Sequence, residues 1–111
     1  PDEERSLVGF GSWQEAKLRN GNYIDAMALI RHAAWQRVGG YTHIEGGWED
    51  FDFWCKLVEA RFHGVQCPHI LAAYRSHASS MTVHSTRRLQ RPLSRTLQFR
   101  HPWLELPLAR P

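Results

Sequence analysis

The chain has 111 residues, 42% of them hydrophobic and 23% charged, with a formal net charge of +3. That length makes about one domain, with material for one core and not two. No apolar run approaches the ~18 residues of a membrane span, the leading Pro-Asp-Glu-Glu-Arg is too acidic and polar for a secretory signal, and two cysteines are too few for a disulfide scaffold.

Residues 1–21 read as a loop holding a short helix at 12–19 and closed by the turn Asn20-Gly21-Asn22. NYIDAMALI (22–30) is uncharged except for Asp25 and lies between turn signals, which predicts a strand buried on both faces. RHAAWQRVGG (31–40) predicts a short helix ended by Gly39 in the left-handed conformation. Trp35 on this helix is expected to pack in the core. Tyr41 to Trp48 reads as a loop with mobility at Gly46-Gly47. From Glu49 to Phe62 the pattern is helical: Phe51, Trp54, Cys55, Val58 and Phe62 form one apolar stripe, and Gly64 ends it. Cys55 and Cys67 are expected to be reduced and buried, as in a cytosolic protein.

VQCPHILAAYR (65–75) predicts one or two short strands around Pro68, at an edge or a bulge. SHASSMT (76–82) is a polar loop. An amphipathic helix broken at Pro92 is expected over 85–100, followed by an extended tail. Residues 87–110 carry six arginines (87, 88, 91, 95, 100 and 110) against one acid, Glu105. Such a segment suits nucleic acid, anionic lipid or an acidic partner, or is simply a solvated helix face.

The stretch EGGWEDFDFW (45–54) poses the functional question. Acidic residues in a first helical turn complement the helix dipole, at roughly 0.3–1 kcal/mol each. That accounts for Glu49, Asp50 and Asp52 without any chemistry. It leaves Gly46-Gly47-Trp48 unexplained: a mobile glycine pair before an aromatic face is what a loop closing over a sugar requires. A carboxylate at the helix tip also projects into whatever cleft lies there, as a general base must. A zinc site from Cys55, His63, Cys67 and His69 is disfavoured, because Cys55 belongs to the apolar stripe and no Cys-x-x-Cys pair occurs.

Three segments in order, ALIRHAAWQRVGGY, GGWEDFDFW and YRSHASSMT, resemble the C-terminal half of family 2 glycosyltransferases, the inverting enzymes of the GT-A fold. The similarity covers about residues 20–83. It implies an α/β fold, the C-terminal portion of a GT-A type mixed sheet with flanking helices. Residues 1–84 would be the acceptor-binding and catalytic part, and 85–111 a basic helical or extended tail. The resemblance further implies that Asp50 is the general base, that Glu49 holds the acceptor sugar and that Trp48, preceded by Gly46 and Gly47, lies against the sugars. Arg75 and Ser80 would lie near the diphosphate, and His77 would be this half's ligand to a divalent cation, Mn2+ or Mg2+.

The family's nucleotide-binding half, with its own Asp-x-Asp metal motif, is expected to precede this region and is absent from the chain. Asp50-Phe51-Asp52 has that spelling but opens a helix instead of ending a strand, so it is not read as the metal site. The chain then reads as a fragment of a cytoplasmic hexosyltransferase-type enzyme, inactive alone. Its partners would be a nucleoside-diphosphate sugar, a glycan, lipid or other hydroxyl acceptor, and the missing half, with no nucleic acid and with peripheral membrane association through the basic tail. The alternative is a non-catalytic basic module docking to an acidic partner or a membrane surface through its arginines.

Overall fold

The computed structural model describes residues 13–66 and 88–110. Four α-helices occur in it: α1 (Glu15–Leu18), α2 (His32–Val38), α3 (Glu49–Glu59) and α4 (Gln90–Arg100), followed by a 3-10 turn at Pro107–Ala109. No strand is present among the described residues, so the expected α/β mixed sheet is replaced by a small helical arrangement.

The largest correction falls on 22–30, which is irregular rather than a buried strand. Its side chains explain the change. The Asn22 Oδ1 accepts the Ile24 N–H at 3.0 Å, and the Asp25 Oδ1 accepts the Met27 N–H at 2.9 Å. These local bonds offer the backbone turns in place of a ladder. Leu29 is 97% exposed and Met27 67%. An apolar run between turn signals fixes neither a period nor a partner strand.

The helices follow their local signals. α2 ends at Gly39, whose φ of 80° is the left-handed cap the sequence predicts. On α3 the buried face is wider than the expected stripe: Phe51, Asp52, Phe53, Trp54, Cys55 and Leu57 are all buried, while Val58 and Phe62 are only half-buried. α2 packs on α3. There Trp35 meets Phe53 and Tyr41 at ring-centroid distances of 5.2 and 4.8 Å, and the Lys56 ammonium donates to the Gly40 carbonyl at 2.6 Å and to Thr42 Oγ1 at 3.0 Å.

Pro92 does not break α4. It occupies the first turn of Gln90–Arg100, where the missing N–H would have had no intrahelical acceptor. The stretch after α4, expected to be extended, is packed instead. His101, Leu104 and Leu106 are buried, and Leu93, Leu97, Leu104 and Leu106 share one core with Leu18, Phe51, Phe53, Trp54 and Cys55. The Gln98 amide clamps this return: it donates to the Leu104 carbonyl and accepts the Leu106 N–H. The Glu105 N–H then reaches the Arg19 carbonyl at 2.6 Å and ties the C-terminal stretch to α1. Among the described residues no helix is long and apolar enough to cross a membrane.

Candidate functional site

The GGWED segment lies where the α2–α3 loop enters α3. Gly46 (φ 97°), Gly47 (φ 119°) and Trp48 (φ 68°) form a continuous left-handed run. The glycine pair, expected to supply mobility, thus has a conformational reason to be there. It has a steric one as well, since a Cβ on Gly46 would stand 2.8 Å from Leu89 Cδ1. Trp48 is the N-cap of α3 without a side-chain capping bond. A tryptophan in the left-handed region at a position that favours Ser, Asp or Asn in extended backbone is an unfavourable local choice. It holds the half-buried indole beside Phe51, with ring centroids 5.8 Å apart.

The three carboxylates of the first turn have three different settings. Glu49 turns back on its own loop, accepting the Ile44 N–H at 3.4 Å and facing His43 Nδ1 at 3.6 Å. Asp52 is fully buried. Arg100 reaches it through Nε at 2.7 Å to Oδ1 and through a terminal nitrogen at 3.2 Å to Oδ2, and His101 Nε2 lies 2.6 Å from Oδ1. Asp50, half-buried at the mouth of the loop, meets a single weak partner among the described residues, the Asn22 side-chain amide at 3.3 Å. Of the three, Asp50 alone keeps most of its lone pairs free of the other described residues.

The Asp52 cluster is the site that sequence reasoning missed. His101 Nδ1 is 2.6 Å from Glu59 Oε2, and the Trp103 indole donates to that same oxygen at 2.7 Å. Both ring nitrogens of His101 therefore face carboxylates, which only accept hydrogen bonds when ionised, so both carry protons. Burial works against this imidazolium, but the bonds to Asp52 and Glu59 outweigh it and raise the pKa above the ordinary histidine value. Burial likewise works against the Asp52 carboxylate, and the bonds from His101 and Arg100 prevail and lower its pKa. Two anions and two cations leave the cluster neutral. With no ring nitrogen left to accept a proton, His101 is a fastener between α3 and the end of α4 and not a base.

The sequence reading gave Asp52 a dipole role worth a fraction of a kcal/mol; the structure makes it the centre of a buried ion network. One signal was available: an acid between two phenylalanines, with Glu59 seven residues on and so on the same helical face. Arg75, His77 and Ser80 lie outside the described residues, as do Cys67 and His69. Among the described residues no group of His, Cys, Asp and Glu is arranged to hold a metal, and both oxygens of Asp52 in Asp50-Phe51-Asp52 are engaged. No protein-family model, curated protein or solved structure matches the chain.

Proposed function

We propose that this chain is the acceptor-side segment of an inverting glycosyltransferase, with Asp50 as the general base. The observation that carries the reading is the division of labour within one helical turn. Glu49 braces the loop, Asp52 anchors α4, and Asp50, with only the weak Asn22 contact among the described residues, stands beside a Trp48 held in a costly conformation. A sugar hydroxyl is a very weak acid, so its proton leaves only as the bond to the anomeric carbon forms. A carboxylate with free lone pairs, fixed at a helix tip, suits that step. Trp48 offers a flat apolar face for the acceptor ring. A divalent cation, Mn2+ or Mg2+, supplies charge for the departing diphosphate when bound, with His77 as this segment's ligand and Arg75 and Ser80 near the phosphates.

The test uses the protein in which this segment accompanies a nucleotide-binding half. Asp50→Asn keeps the shape of the side chain and removes its basicity. It is expected to cut kcat by about 10²–10⁴-fold with donor affinity near wild type. Retention of more than about a tenth of wild-type kcat removes Asp50 from the role.

A second reading has its own observation. Arg91, Arg95 and Phe99 on α4 and Arg88 just before it are all exposed and recur at i, +3, +7 and +11 from Arg88, a single stripe. Arg100, paired with Asp52, does not belong to it. Such a stripe fits peripheral docking to an anionic surface, at about 1 kcal/mol per basic residue. The chain is expected to co-sediment with phosphatidylserine vesicles at low salt, and the triple change Arg88→Gln, Arg91→Gln, Arg95→Gln is expected to abolish this. Equal sedimentation of the triple variant would eliminate the docking role.

A further inference from the structure

At the opposite end of α3 from Asp50, Glu15, Arg19, Glu59, Arg61, His63 and Trp103 line an open cleft of about 750 Å³. One wall is rigid. The Trp103 indole donates to Glu59 Oε2 at 2.7 Å, and the His101 imidazolium holds that same oxygen at 2.6 Å, so the half-buried ring is fixed in orientation. The charged groups around it are the reverse. Among the described residues Arg19, Arg61, His63 and Glu15 have no ion-pair partner.

Arg61 also occupies an odd place. The Phe62 N–H bonds the Leu57 carbonyl and the Arg61 N–H the Val58 carbonyl, both at 2.9 Å, a helix ending that puts Arg61 in the left-handed region at φ 68°. Glycine is the usual residue there, because a Cβ is unfavourable in that conformation. Here an arginine takes the position and lines the cleft.

We propose that this cleft binds a small phosphorylated molecule carrying a flat ring. The ring stacks on Trp103, and the guanidinium groups of Arg19 and Arg61 take the phosphate. Two planar forks match an oxygen-rich dianion, where one carboxylate would satisfy only one of them. The His63 imidazole adds a hydrogen-bonding group, and Glu15 accepts hydrogen bonds from ligand hydroxyls. The site is independent of the transfer reading, since Asp50 and Glu59 are about 14 Å apart along the helix at 1.5 Å per residue.

Titration calorimetry on the full chain at low ionic strength tests it, with AMP, ribose 5-phosphate and inorganic phosphate as probes and adenosine and ribose as controls. AMP and ribose 5-phosphate are expected to bind in the micromolar range, and the controls no tighter than about millimolar. AMP binding tighter than ribose 5-phosphate assigns the stacked ring to a planar base and supports the site, whereas ribose 5-phosphate, with its puckered ring, binding as tightly as AMP means that no flat ring stacks on Trp103 and overturns the proposal. Arg61→Gly is expected to weaken both ligands at least about tenfold while raising the melting temperature, a combination that a purely structural arginine does not produce. The proposal is overturned if neither phosphorylated probe binds tighter than about millimolar, if inorganic phosphate alone binds as tightly as both, or if Arg61→Gly leaves affinity unchanged.

Discussion

Asp52 sits between Phe51 and Phe53 on a helix whose other inward residues are apolar, and an ionised group carried into such a face needs a cation to meet it. The cations come from Arg100 and His101, 48 and 49 residues further on. No spacing rule reaches that far, which is why the sequence showed the charge but not its partners. Asp50 was legible because its setting is local: a glycine pair, an aromatic and a helix start. Removing one partner of a buried ion pair leaves the other charge uncompensated, at about 3–5 kcal/mol. Because Arg100 is partly exposed and keeps some solvation, Asp52→Asn is expected near the lower end, about 3 kcal/mol. Asp50→Asn and Glu49→Gln, at half-buried positions, are expected to stay within about 1 kcal/mol of wild type. Denaturant midpoints for the three variants check this ordering. A loss below about 1 kcal/mol for Asp52→Asn would return it to the dipole role.

At the scale of elements, the helices were readable from sequence, whereas the strand expected at 22–30 does not form. α2 and α3 announce themselves through apolar spacing and, in α2, a terminal glycine, signals contained within a dozen residues. The segment 22–30 offered only an apolar run, and Asn22 and Asp25 turned its backbone aside. The junction of α3 and α4 carries a pH dependence that follows from His101 and Asp52. His101 has its pKa raised by folding, so its contribution is complete below the unfolded value of about 6.5 and is lost as pH climbs through the higher folded value. Asp52 has its pKa lowered, so its contribution is complete above about 3.9 and is lost as pH falls through the folded value. Arg100 stays charged throughout, and Glu59 faces the same imidazole. Stability is therefore expected to be highest between these limits. His101→Gln should flatten the alkaline decline while sparing the acidic one, since Arg100 still holds Asp52. Urea unfolding at a series of pH values distinguishes this from a junction indifferent to pH, in which wild type and variant would run parallel.

On the scale of the whole molecule, the last described residues are structural material rather than a trailing arm. Leu104 is 2% exposed and shares the core with α3, whereas Leu29, expected inside, is almost wholly in water. Leu104→Ala is therefore expected to cost about 2–5 kcal/mol and Leu29→Ala under about 0.5 kcal/mol. Comparable losses from the two would contradict this assignment of inside and outside. The same enclosure gives the protein a built-in clock. Cys55 lies at the centre of α3 with no exposed surface, and burial, together with the nearby charges of Glu59 and Asp52, drives its thiol pKa far up. A thiol so placed reacts with a disulfide reagent only when the surrounding structure opens. In a Cys67→Ser background it is the chain's one thiol, so its labelling rate counts openings of the core under native conditions. That rate is expected to be far below that of an unfolded peptide and to rise when His101→Gln unfastens α4. Labelling at the peptide's own rate, without denaturant, would mean that the helices do not close over Cys55 at all.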